Sequence, residues 1–164
     1  MRHHDPILVL GLGNAMLGDL GLGIVALQAL RRSQRGTPDI LFHRSGVVDA
    51  MLRPLVLGSH ALLVIEARPF DADPGSMLEL DGQAMDDGLI RYPSAEADAG
   101  AELARLAVSG LLPERRALML VQPDRPTTAH GLSRAVSDRI PELVLRSGAL
   151  ISLWGASIPQ SAHG

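Results

Sequence analysis

The chain has 164 residues, a formal net charge of −3, 46% hydrophobic and 2% aromatic residues, and no cysteine. The lack of cysteine excludes disulfides, thiolate metal sites and cysteine nucleophiles, and the absence of a basic excess argues against nucleic acid as a partner. No apolar run reaches the ~20 residues that span a membrane and the N-terminus lacks a signal-peptide pattern, so we expect one cytoplasmic domain without membrane contact.

Apolar runs typical of buried strands alternate along the chain with stretches of helical periodicity. The predicted strands are Ile7–Leu10, Ile40–His43, Ala61–Glu66, Met77–Leu80 and Ala117–Val121. The predicted helices are Leu20–Arg32, Val48–Leu57, Glu96–Val108 and Ser133–Arg146. This alternation predicts a three-layer α/β sandwich, in which a mostly parallel central sheet is flanked by helices.

Three further features bear on where these elements begin and end. Asp81–Pro93 is polar and contains glycine, so we predict a loop there. Pro141 falls inside the last helical pattern, where it either kinks the helix or starts a new one. Ser152–Gly164 mixes glycine, proline and polar residues, and we expect a frayed tail.

Two glycine clusters follow the first predicted strand. Gly11 and Gly13 come directly after the apolar run, and Asn14 and Asp19 lie in the turn before the first helix. Open α/β sheets bind ligands at the carboxyl ends of their strands, so this turn is a candidate site. A dinucleotide fingerprint is not met, because Met16 stands where its third glycine is required.

The glycine turn resembles the N-terminal signature of the hydrogenase maturation proteases. It reads Gly-x-Gly-Asn-x-x-x-x-Asp-x-Gly-x-Gly from Gly11 to Gly23. The strand Leu62–Ile65 followed by Glu66, and the segment Leu118–Leu132, are similar to two later signatures of that family. The family consists of small α/β endopeptidases that remove a C-terminal extension from the large subunit of nickel-iron hydrogenases. The resemblance covers nearly the whole chain.

The resemblance implies three metal ligands, of which this chain keeps one ligand type. Leu20 stands where the family has a glutamate, and Glu66 stands where it has an aspartate. Counting back from Gly100 places Ala97 where the family has a histidine. Leu20 and Ala97 offer no lone pair, so two of the three expected ligands are replaced.

The candidate metal and catalytic residues are therefore acidic. Glu66 is the first candidate for both roles and Asp19 the second, with Glu96 and Asp98 as substitute ligands. The structural alternative for Glu66 is an ion pair with Arg68 or Arg44. For Asp19 the alternative is a helix cap.

The candidate substrate-binding residues are Gly11, Gly13, Asn14 and His130. Asn14 has the alternative of a hydrogen bond inside its own turn, and His130 that of an ordinary loop histidine. No tightly bound cofactor is expected, although nickel carried by the substrate is compatible with the resemblance.

Three functions follow from these patterns. The first is a protein that docks the nickel-loaded large-subunit precursor of a nickel-iron hydrogenase and either cuts or presents its C-terminal extension. The second is a family member that has lost catalysis and acts as a binding or assembly chaperone. The third is an α/β domain that acts on an unrelated small molecule, because fold alone does not determine function.

Overall fold

The architecture is an α/β sandwich, seen in a computed structural model that describes residues 5–35, 39–46, 49–124 and 130–156. The strands are β1 (Ile7–Leu12), β2 (Ile40–Ser45), β3 (Ala61–Ala67), β4 (Met77–Asp81) and β5 (Arg115–Val121). The helices are α1 (Leu22–Ser33), α2 (Leu52–Leu57), α3 (Gly82–Arg91), α4 (Ala97–Val108), α5 (Arg134–Ser137) and α6 (Ile140–Ala156). A short 3-10 turn, Gly18–Gly21, precedes α1.

The five described strands form one sheet in the order β2-β1-β3-β5-β4. The pairs β1–β2, β1–β3 and β3–β5 are parallel, and β4 is antiparallel to β5. This confirms the predicted mostly parallel sheet. The chain runs from β1 outward to β2 and returns to β3 on the other side of β1. Such a reversal of strand order opens a crevice at the carboxyl ends of the strands, where α/β proteins bind ligands.

The pleat of the strands divides the core into two layers. Ile7 and Val9 of β1 pack towards α1 and α6, whereas Leu8, Leu10 and Leu12 pack towards α2, α3 and α4. Every residue of β1 is buried, which explains why its sequence is continuously apolar. The same alternation in β3 places Glu66 on the side of α2, α3 and α4.

The loop predicted for Asp81–Pro93 is wrong, because most of this segment forms helix α3. Met85 and Leu89 of α3 are buried in the second core layer. Gly88 lies so close to the sheet that an added Cβ would be 2.5 Å from Leu80 Cδ1. Of the polar residues that suggested a loop, Gln83 and Asp87 are exposed, whereas Asp86 is buried and pairs with Arg116. Tertiary packing outweighs the low helix propensity of this segment.

The C-terminal part of the chain also differs from prediction. The single helix predicted over Ser133–Arg146 is two helices, and Pro141 lies in the first turn of the second one, where its missing N–H has no cost. Helix α6 continues to Ala156 and buries Trp154, so the predicted fraying does not begin at Ser152. Residues 157–164 of that predicted tail lie outside the described residues.

Helix α2 begins at Leu52, later than predicted; residues 47–48 of the predicted helix are outside the described residues. Within the described ranges, none of the helices combines the length and the hydropathy needed to cross a membrane.

Candidate functional site

The glycine turn brings strand β1 and helix α1 into backbone contact. A Cβ added to Gly11 would be 2.4 Å from the carbonyl oxygen of Gly23, and one added to Gly13 would be 2.2 Å from that of Leu20. Both glycines are buried. Neither belongs to the lining of the adjacent cleft. Both pack β1 closely against the segment that follows it, and their contact with substrate stays a prediction.

Asn14 and Asp19 hold the turn in place. The side-chain oxygen of Asn14 accepts a hydrogen bond from the backbone N–H of Met16 at 2.9 Å, which is the local alternative considered for it. Asp19 is only 8% exposed and accepts bonds from Ser133 N at 2.6 Å, Ser133 Oγ at 2.8 Å and Asp124 N at 2.9 Å. Its carboxylate therefore ties the turn to the segments after β5, and three of its acceptor sites are used.

Replacing Asp19 with asparagine is expected to lower the free energy of unfolding by about 1–3 kcal/mol, because an amide N–H₂ would face backbone donors. Urea denaturation measures the loss. Asp138→Asn is the matched control, since the Asp138 side chain is 62% exposed and makes only a long contact with Arg134. Equal stability of the two variants would contradict this structural role of Asp19.

Glu66 is at the carboxyl end of β3 and is 1% exposed. Its Oε2 accepts a hydrogen bond from Arg68 Nε at 2.5 Å, and its Oε1 accepts one from Ser94 Oγ. Ser94 Oγ in turn accepts a bond from the backbone N–H of Glu96 at 3.0 Å. Both carboxylate oxygens of Glu66 are thus engaged, and its ion-pair partner is Arg68 rather than Arg44.

The electrostatics around Glu66 combine opposing effects. Burial raises the pKa of Glu66 above its ordinary value, and the neighbouring Glu96 raises it further, while Arg68 and Ser94 lower it. The net direction is upward. Desolvation by burial is the largest of these effects.

Arg68 is fully buried and joins β3 to the segment before α4. Its Nη1 donates to the carbonyl oxygen of Tyr92 at 2.9 Å, and the Tyr92 ring packs edge-on against Phe70. Its Nη2 has no hydrogen-bond partner among the described residues. The guanidinium is thus held in place beside Glu66 by contacts on both sides.

Ser94, rather than Ala97, contacts Glu66. Ala97 is exposed at the start of α4 and does not line the cleft. Gly100 packs on Ser94 instead, since an added Cβ would be 2.6 Å from Ser94 Cβ. Ser94 was missed in the sequence because only tertiary structure brings it to Glu66. The one local signal is the sequence Pro-Ser-Ala-Glu before α4, which is typical of a helix N-terminus but does not indicate a contact with Glu66.

The other acidic candidates are separated from each other. Glu96 is buried near Glu66, whereas Asp98 is exposed and lines a different groove, beside Asp49 and Arg53. Among the described residues, no group of three or more His, Asp and Glu side chains is arranged to hold a metal ion. His130 is exposed and is not part of the cleft lining either.

A cleft of about 620 Å³ opens at the carboxyl ends of the parallel strands. Four prolines form much of its wall, together with Leu17, Leu20, two alanines and the polar residues of its floor and rim. Those prolines are Pro69, Pro74, Pro93 and Pro123, and the polar residues are Asp19, Ser94, Gln122 and Asp124. This size is typical of sites for small ligands or short peptide segments.

Gln122 fixes one wall of this cleft. Its side-chain oxygen accepts bonds from the backbone N–H groups of Phe70 at 2.7 Å and Ala72 at 3.4 Å. The loop after β3 is therefore attached to the end of β5. In open α/β sheets, a cleft at the strand-order reversal is the usual location of a ligand site, and apolar walls suit a small ligand or a peptide segment.

Comparison with known proteins identifies chains of similar sequence. No protein-family model matches the chain. It is 25% identical over 165 residues to the hydrogenase expression/formation protein HupD of Rhizobium leguminosarum, covering 96% of this chain and 80% of the relative. It is 24% identical to the hydrogenase expression/formation protein HoxM of Cupriavidus necator, with the same coverage of 96% and 80%.

The same family appears among solved structures. The fold matches the hydrogenase maturating endopeptidase HybD of E. coli with a TM-score of 0.78 at 23% identity, covering 92% of this chain and 94% of that one. It matches HybD of Thermococcus kodakarensis with a TM-score of 0.68 at 19% identity, covering 89% and 99%. The predicted resemblance to the hydrogenase maturation proteases is confirmed in sequence similarity and in fold.

Proposed function

We propose that this protein docks the large-subunit precursor of a nickel-iron hydrogenase in the cytoplasm and holds its C-terminal extension in the proline-walled cleft without cutting it. The names of the sequence relatives, which are hydrogenase expression/formation proteins, support the kind of partner. The cleft supports the kind of ligand, because its apolar walls suit an extended chain and its polar rim can bond to peptide groups.

The contact between Glu66 and Arg68 is the observation that carries the non-cutting part of the proposal. Nickel brought by the precursor needs several lone-pair donors held together. Leu20 supplies none, and the carboxylate of Glu66 is already bonded to Arg68 and Ser94. A fixed guanidinium beside this carboxylate also repels a second cation. The residues present therefore do not fit a nickel site of the family type.

The deciding experiment mixes the purified protein with its nickel-loaded precursor and follows complex formation and precursor mass together. We expect a stable complex and a precursor of unchanged mass. Loss of a C-terminal peptide from the precursor would contradict the non-cutting proposal. Absence of a complex would contradict docking.

A matched pair of surface variants locates the docking site. Leu17 is 46% exposed at the edge of the cleft, and Leu145 is 74% exposed on α6. We expect Leu17→Glu to weaken the complex about tenfold or more, because a charge would be buried on docking, and Leu145→Glu to leave it unchanged. Equal effects of the two variants would place docking elsewhere.

Should cleavage be observed, Glu66→Ala identifies the role of this carboxylate. Retained processing would show that Glu66 is not the metal contact. Lost processing with an unchanged complex would assign Glu66 to the reaction and favour the peptidase hypothesis over the binding hypothesis.

A further inference from the structure

A groove separate from the cleft lies at the β2 edge of the sheet, between helix α1 and strand β2. Two adjoining cavities of about 410 and 160 Å³ share Arg31 and Phe42 and together run along this edge. Ile40 and Phe42 face α1 and remain only partly buried. We call this surface, lined by Arg31, Arg32, Arg35, Ile40, Phe42 and Arg44, the α1–β2 groove.

The α1–β2 groove concentrates positive charge on a chain with a formal net charge of −3. Its four arginines are exposed, and none of them forms an ion pair with any residue that the structure describes. Elsewhere, Arg53, Arg68 and Arg116 each contact a carboxylate. The uncompensated arginines therefore favour an acidic ligand for this groove.

The backbone of β2 supplies the second element of the surface. In the described part of the chain β2 pairs only with β1, so the N–H and C=O groups on its outer side are open to another strand. An extended peptide can add to such an edge through main-chain hydrogen bonds, while alternate side chains give specificity.

We infer that the α1–β2 groove binds an acidic, extended peptide segment of a partner protein, which adds as a strand beside β2 and places carboxylates against the four arginines. Phe42 and Ile40 supply the apolar contact beneath that strand. A second copy of this chain fits less well, because edge-to-edge pairing of two β2 strands would bring two sets of arginines together. This site is separate from the cleft, and its test does not depend on the proposed function.

The test uses a fluorescent peptide that alternates Glu and Val, titrated into the full chain at low salt and followed by anisotropy. We expect saturable binding that weakens with added salt. A Lys-Val peptide should not bind, and a Glu-Val peptide with N-methylated backbone should bind more weakly, because it cannot donate to β2. Amide hydrogen exchange in Ile40–Ser45 should slow when the Glu-Val peptide is bound.

Charge-reversal variants assign the binding to the groove. Arg31→Glu combined with Arg44→Glu should weaken the Glu-Val peptide about tenfold, whereas Arg115→Glu should not change its affinity. Arg115 is the control because it begins β5, which β1 and β3 separate from β2. Lack of binding, or binding unaffected by the double reversal, would overturn the inference. Tighter binding of a single-stranded oligonucleotide, or dimers lost in the double variant, would overturn the peptide assignment.

Discussion

Replacing Gly23 with alanine is expected to lower the free energy of unfolding by about 3 kcal/mol or more. An added Cβ would be 2.1 Å from the carbonyl oxygen of Leu12 and 2.6 Å from that of Ile65. Both obstacles are backbone atoms at the ends of central strands, and they cannot move aside as a side-chain tip can. The new methyl group would therefore push the start of α1 away from strands β1 and β3.

Gly155→Ala is the matched control for this prediction. Gly155 is also helical, but nothing lies within 4 Å of the Cβ that the substitution would add. Alanine should stabilise this position by up to about 1 kcal/mol, because it has the higher helix propensity. Urea denaturation of the two variants measures both effects. A Gly23→Ala variant as stable as Gly155→Ala would mean that the close approach of β1 and α1 is not required.

Replacing Arg68 with methionine is expected to lower the free energy of unfolding by about 3–5 kcal/mol at neutral pH. Methionine keeps much of the side-chain volume but leaves the carboxylate of Glu66 buried without its cation. The hydrogen bond from Arg68 Nη1 to the carbonyl oxygen of Tyr92 is lost as well. This loss should depend strongly on pH, because protonation removes the unpaired charge.

The direction of that dependence follows from the raised pKa of Glu66, whose ordinary value is 4.5. A carboxyl with a higher pKa in the folded than in the unfolded state binds more protons when folded. Stability therefore falls as pH rises through the window between the two values. Removing Arg68 takes away an influence that lowers the pKa of Glu66, so the window extends to higher pH in Arg68→Met and the fall becomes larger.

The double variant Glu66→Gln, Arg68→Met separates charge from packing. It should recover much of the lost stability at neutral pH and show a flatter pH profile than Arg68→Met, because no ionisable group remains in the pair. Urea denaturation at several pH values provides the measurement. An Arg68→Met variant with wild-type stability at neutral pH would show that Glu66 does not depend on this cation, and would remove the main argument against a nickel contact at Glu66.

Much of the fold was predictable because its signals are local. Strands β1, β3 and β5 are buried on both faces, so their sequences are apolar runs that no loop would carry. Helix α3 was missed because its buried apolar residues, Met85 and Leu89, are too few to outweigh nearby glycine and polar residues. Its stability comes from packing on the sheet.

The candidate site was predictable only in part. Glu66 stands out in the sequence as a carboxylate at the end of an apolar strand, and its partner Arg68 is two residues further on, just beyond the end of β3. Ser94 is 28 residues from Glu66, and no local pattern connects the two. The bonds that Asp19 accepts from Ser133 span 114 residues. The sequence around one residue carries no information about a partner that lies so far along the chain.

The sequence by itself therefore determined the resemblance to the hydrogenase maturation proteases, the mostly parallel sheet and the acidic residue at the end of β3, because these depend on glycine spacing and hydrophobic runs within short segments. Only the tertiary structure decided the roles of those residues. It placed a buried guanidinium and a hydroxyl beside Glu66 and used Asp19 to join distant segments. It also left the four arginines of the α1–β2 groove without an ion pair to any residue that the structure describes. Hydrogen bonds and ion pairs act over a few ångströms in space, and residues remote in the chain come within that range only when the sheet and helices have packed.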